Sequence, residues 1–296
     1  MTAQTILFTL LSILGVVFVA YWIAAERTRG NKSADWRSKP WPSPLHLGLG
    51  FFTDFFDQLG IGSFASTTSL FKLGRVVEDE DIPGTLNVGH ALPTLAEAFI
   101  SIALIQVEMR TLIALIAASV LGAYVGAGVV AAWPRRRIQV GMGVLLFAAA
   151  TIIVLRQTGL VPGGGDAIGV EGTRLVIGFA ANFVLGALMT LGIGLFAPCM
   201  ILISLIGMNP KTAFPIMMGS CAFLMPTASF RFIRSGRYNL RAAVGLTLGG
   251  VPAVLIAAYV VQSLSLKAVQ WLVVVVVLYT GAALLRSARR DRAKST

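Results

Sequence analysis

The sequence predicts an all-α polytopic membrane protein of two inverted-topology repeats, each a re-entrant broken-helix hairpin plus three transmembrane helices, preceded by one extra helix. Three observations predict it. The 296 residues are 56% hydrophobic and only 12% charged, with a mean hydropathy of +0.81, which is too apolar for an ordinary water-soluble domain. Basic residues fall in clusters between the apolar runs, and one glycine motif occurs twice.

Seven apolar segments are long enough to cross a hydrocarbon core roughly 30 Å thick. They lie near 5 to 24, 83 to 105, 110 to 132, 138 to 156, 210 to 231, 240 to 262 and 266 to 286. The first has no basic region before it and no small-residue cleavage site after it, so it reads as a retained helix and not as a signal peptide. Two further segments, 45 to 74 and 173 to 207, are too long for one clean crossing and carry central glycines, Gly60 with Gly62 and Gly192 with Gly194. Each is either one long tilted helix or a hairpin of two short ones.

Charge decides between those alternatives, because short cytoplasmic loops are rich in Lys and Arg. Nineteen of the 24 basic residues form five clusters: Arg27 to Lys39, Lys72 with Arg75, Arg135 to Arg137, Arg231 to Arg241, and Arg286 to Lys294. All five share one side only if both glycine-interrupted segments return to the face they entered from. The predicted topology places the amino terminus outside and the carboxyl terminus in the cytoplasm.

The two halves then have opposite orientation, and the sequence carries the duplication. Leu59 to Ala65 reads LGIGSFA and Leu191 to Ala197 reads LGIGLFA, an offset of 132 residues, and Pro83 and Pro215 share that offset. The expected organisation is an amino-terminal helix and cytoplasmic loop (1–44), repeat A (45–156), an extracytoplasmic linker (157–172), repeat B (173–286) and a basic cytoplasmic tail (287–296). The linker, with its VPGGGD stretch, lacks the G-K-[ST] ending of a phosphate loop and reads as flexible.

Broken helices at membrane depth need protein or a watery cavity to satisfy their free backbone groups, and a helix start presents N–H groups to anions. The candidate substrate-binding residues are therefore Gly60, Gly62, Ser63, Ser66 and Thr67 at the first tip and Gly192, Gly194 and Cys199 at the second. Ionisable residues at membrane depth are costly, which singles out Asp54, Asp57, His90 and Glu97. Asp57, His90 and Glu97 are the candidates for proton coupling, His90 and Glu97 lying seven positions apart on roughly one helix face. A buried polar network, or for Asp54 and Glu97 a place nearer the interface, is the plainer alternative. Cys199 and Cys221 read equally as small packing residues.

The paired tips LGIGSFAS at 59 to 66 and LGIGLFAP at 191 to 198, each followed by a helix with proline and small polar residues, resemble the TauE/SafE family of sulfite exporters, also called the TSUP family of anion permeases. The resemblance covers roughly 45 to 286. It implies export of sulfite or a related sulfur-containing anion, an organosulfonate or thiosulfate, with proton coupling. Members carry a longer glycine run followed by proline at each tip; here Ser63 and Leu195 replace the third glycine, and only the second tip keeps the proline, Pro198.

The expected function is secondary transport by alternating access, with an anion channel as the rival. An intramembrane enzyme lacks support, because no H-E-x-x-H or Ser-His arrangement occurs and the histidines are His46 and His90 alone. Neither a cofactor nor a metal is expected. The net charge of +11 orients the protein in the bilayer and does not signal nucleic acid. Expected partners are the small anion, membrane lipid and a second copy in a homodimer, in the bacterial cytoplasmic (inner) membrane.

Overall fold

The computed structural model describes residues 2–30, 41–78, 80–130, 135–158, 165–189, 195–263 and 265–293. Their helices are α1 (Ala3–Gly30), α2 (Pro44–Gln58), α3 (Ser63–Gly74), α4 (Ile82–Leu104), α5 (Met109–Val130), α6 (Arg135–Gln157), α7 (Gly172–Met189), α8 (Phe196–Leu205), α9 (Ala213–Ser235), α10 (Leu240–Ser263) and α11 (Leu266–Ala293). Among the described residues the only β pairing is the isolated bridge between Ala167 and Met208. The segments expected to span fall on α1, α4, α5, α6, α9, α10 and α11, and of the two longer ones 45 to 74 holds α2 and α3 while 173 to 207 holds α7 and α8, with 190–194 outside the described residues. Among the described residues four stretches, Ala3–Arg29, Gly172–Met189, Pro210–Ser235 and Leu240–Val260, are long and apolar enough to cross a membrane. Exposed apolar faces such as Leu10, Ile13 and Val17 on α1 suit lipid and would be costly in water.

By packing the chain divides into two compact units, Met1–Ala103 with Cys221–Val260, and Leu104–Ser220 with Val261–Thr296, the boundary falling inside α9. In the first unit α1 and α4 run antiparallel. Gln4 donates to the Ile102 carbonyl and Phe8 packs on Phe99 at one end, while Phe18 and Trp22 share a core with Val88 and Ala91 further along. At the other end the connections close on one another. Arg29 donates to the Ile233 carbonyl, Arg237 pairs with Glu80 at 3.3 Å, and Arg241 donates to the Trp41 carbonyl at 2.7 Å. The end of α1, the entry to α2, the α3–α4 turn and the α9–α10 turn therefore lie together. Helices α2 and α3 go in and come back, and Leu49 near the start of one packs in the same cluster as Phe71 near the end of the other.

The turn between them follows from its glycines. The Gly60 amide donates to Asp57 O and the Ile61 amide to Phe56 O, the paired bonds of a Schellman helix stop, with Gly60 at φ 92° where a side chain would be strained. Gly62 follows at φ 84° and starts α3 with no capping side chain.

In the second unit α5 packs on α7 and α6 on α11. Gly122 and Gly186 let the α5 and α7 backbones touch, since a Cβ at either would overlap a carbonyl of the other helix, and Asn182 Nδ2 donates to Leu115 O at 2.6 Å. The start of α7 and the end of α8 also share an end. The Glu108 amide donates to Ile168 O, Thr111 exchanges hydrogen bonds with the Val170 backbone, and Asn209 N donates to Ala167 O. The expectation of a flexible linker thus fails for 165–171, where glycine-rich chain finds backbone partners on α5 and the α8–α9 turn; 159–164 lie outside the described residues. α7, at 18 residues, is longer than the 10 of α8, so the two arms of this pair are unequal.

Candidate functional site

Polar side chains inside a helical membrane unit need partners from their own fold. In the first unit such groups converge on the α2–α3 break. Asp54 and Asp57 come from the last turns of α2, Ser63 and Thr67 from the first turns of α3, and His90 and Glu97 from α4, and all six are buried. The spacing of Asp54 and Asp57 puts both carboxylates on one face of α2, and that of His90 and Glu97 stacks them along α4.

His90 is held between the two arms. Its Nδ1 lies 2.6 Å from Asp54 Oδ1 and its Nε2 lies 3.1 Å from Thr67 Oγ1. One ring nitrogen therefore addresses α2 and the other α3, so a change in the ring's protonation alters a bond to one arm or both. Asp57 does something different. Its Oδ1 accepts the backbone N–H of Ser63, the first residue of α3, at 2.9 Å. Gly62 cannot cap this helix, and the Asp57 carboxylate occupies the positive helix start in its stead.

Carboxylate oxygens of Asp54, Asp57 and Glu97, one from each residue, lie within 4.8 Å of one another. Three carboxylates this close and out of water do not all stay negative without a compensating positive charge. Among the described residues neither Glu97 oxygen has a hydrogen-bond partner, nor has Asp54 Oδ2 or Gln58 Oε1, one residue beyond Asp57.

The cluster is possible because α10 comes close. A Cβ at Gly250 would overlap Asp54 Oδ2, so only glycine admits the carboxylate there. Pro93 interrupts α4 and leaves the Gly89 carbonyl without its helical donor; the Thr247 hydroxyl of α10 supplies one at 2.7 Å.

The other residues expected at the tips fall as follows. Gly60 and Gly62 shape the turn. Ser66 Oγ bonds back to the Gly62 and Ser63 carbonyls at 3.1 and 2.9 Å, so its hydroxyl hydrogen is spent within α3. Ser63 is buried beside Asp57 and Thr67 is engaged by His90. At the second tip Cys199 is a buried free thiol in α8, while Gly192 and Gly194 lie outside the described residues. Sequence reasoning passed over Gln58 and Gly250; the doubled glycine 249–250 inside an apolar helix was the available signal for the latter.

Comparison with known families adds a second line. Residues 175–296 match the family described as Sulfite exporter TauE/SafE. No curated protein and no solved structure matches the chain. The matched stretch runs from within α7 to the end of the chain and contains the second LGIG sequence, 191–194. Over residues 175–296 the chain is similar to the TauE/SafE sulfite exporters, a family of membrane transporters and not of enzymes.

Proposed function

We propose that this multi-pass membrane protein exports sulfite or a related small sulfur-containing anion, an organosulfonate or thiosulfate, across the bacterial cytoplasmic membrane by alternating access, with proton coupling through Asp57, His90 and Glu97. The observation that carries the reading is the Asp57 carboxylate on the first amide of α3, at a helix break lined by further acids and His90. A helix start suited to an anion is held by a titratable one. When Asp57 takes a proton, its hold on the Ser63 amide weakens and an oxyanion can use the same donor. Protonation of Glu97 and His90 lowers the negative potential the substrate meets. A membrane potential negative inside then favours outward movement of the bare anion by about 2.3 kcal/mol per charge per 100 mV.

The same reading treats 45–156 and 173–286 as inverted repeats, with the amino terminus outside and the carboxyl terminus in the cytoplasm. Gly192 and Gly194 act at the second tip as Gly60 and Gly62 do at the first, Ser63, Ser66 and Thr67 line the first, and Cys199 lies just beyond the second. The protein works as a homodimer in this scheme. The test is efflux of labelled sulfite from proteoliposomes. Wild-type protein should accelerate it above protein-free vesicles, and Gly62→Leu combined with Gly194→Leu should abolish it. Flux that survives the double substitution unchanged would overturn the reading.

A further inference from the structure

Among the described residues, several buried acceptor oxygens on α2 and α4 have no hydrogen-bond partner. Both Glu97 oxygens, Asp54 Oδ2 and Gln58 Oε1 are acceptors, and their side chains are at least 98% buried. Ser101 Oγ, one turn beyond Glu97 on α4, is also unpaired. An apolar interior that leaves carboxylate oxygens of one close cluster without a donor lacks a positive charge there.

We infer that Asp54, Asp57 and Glu97 form a binding site for one hard, oxygen-seeking cation. Oxygens bound at about 2.4 Å to a cation of calcium's size lie on a shell about 4.8 Å across. The three carboxylates meet that limit, each offering an oxygen within 4.8 Å of the others. Ligands of oxygen alone select sodium, calcium or magnesium over softer metals. Asp54 and Asp57 each give one oxygen to a protein donor, His90 and the Ser63 amide respectively, and this fixes their orientation before an ion arrives. Among the described residues the basic side chain paired with the cluster is His90, on Asp54 Oδ1, which leaves Asp54 Oδ2 and both Glu97 oxygens without a donor. A bound cation would neutralise the acids around the α3 start, and so would favour an anion there as a proton does. The inference deepens the transport reading but is tested without any transported anion.

The purified full-length protein in detergent is unfolded thermally while sodium chloride replaces choline chloride at constant ionic strength, with calcium and magnesium chloride as separate arms. One of these ions should raise Tm in a saturable way, and its addition to weakly buffered protein should release protons to a pH dye. In Glu97→Gln and in Asp54→Asn, both of which remove charge from an apolar interior while keeping side-chain shape, the midpoint should move at least roughly tenfold higher. A Tm indifferent to all three ions, or an identical response in wild type and both variants, would overturn the cation site. If Tm instead follows pH alone, the cluster holds protons only, which also overturns it and leaves the anion-export reading standing.

Discussion

The Asp57 carboxylate sits 2.9 Å from the backbone nitrogen of Ser63, so α2 supplies the negative cap of the helix that follows it. This relationship makes the first glycine break self-occupied at the helix start where a substrate oxyanion would be expected. Asp57→Asn keeps a hydrogen-bond acceptor and removes the charge. In the variant, sulfoacetate should bind tighter by roughly a hundredfold at neutral pH, given about 3 kcal/mol of repulsion between charges about 5 Å apart in a partly screened site. Wild-type affinity should rise as pH falls and the variant's should vary less, both measured by calorimetric titration.

Gly250 is where α10 makes room for Asp54. Gly250→Ala should displace the Asp54 carboxylate and its bond to His90 and cost about 1–3 kcal/mol, the usual penalty for overpacking. A lowered Tm with loss of pH-dependent transport is the expected pair of results. A variant with wild-type Tm would show that the approach is looser than described.

Trp22 Nε1 donates to the Tyr238 hydroxyl at 2.8 Å, and that hydroxyl donates to Glu26 at 2.6 Å, so α1 is clasped to the α9–α10 turn. Burial, reinforced by the Glu26 carboxylate, holds the phenol proton on at any accessible pH. Tyr238→Phe leaves the indole N–H without its acceptor and Glu26 with only its Arg29 partner, and should cost about 1–3 kcal/mol. In a double-mutant cycle with Trp22→Phe the two losses should be less than additive, read by chemical unfolding.

Glu108 caps α5 from the connection before it. Burial alone pushes its carboxyl upward, but hydrogen bonds from the Thr111 hydroxyl and amide and from the Arg110 amide, with the Arg110 charge, together hold it below the usual carboxylate range. A lowered folded pKa means that the unfolded chain takes up the proton first. The cap's contribution is therefore fully present above the ordinary range near pH 4.5 and fades as pH falls through the folded value. The Tm difference between wild type and Glu108→Gln should shrink on acidification below about pH 4.5, as followed by a thermal scan.

Much of the fold was legible because its causes are local. Gly60 and Gly62 stop and restart a helix for backbone reasons that sequence displays, and Asp54, Asp57, His90 and Glu97 stand out wherever charge is scarce. That one oxygen from each of Asp54, Asp57 and Glu97 falls within 4.8 Å was not legible, because it depends on α2 folding against α4. Spacing rules for metal ligands look within one helix and pass over three acids from two. Trp22 and Tyr238 are 216 residues apart and each looks like an interfacial aromatic by itself. The stretch 165–171 was misread for a different reason. Glycine content signals freedom in an isolated chain, yet here the backbone of Ala167, Ile168 and Val170 pairs with the α8–α9 turn, Glu108 and Thr111, which composition does not encode.

The most direct trial of coupled anion export loads proteoliposomes with sulfoacetate and a pH-sensitive dye, clamps the voltage with potassium and valinomycin, and records lumenal pH as the anion leaves. Wild-type vesicles should lose sulfoacetate and turn alkaline together, while Glu97→Gln should uncouple the two. Sulfoacetate release with an unchanging lumenal pH, or no release above empty vesicles, would contradict the account.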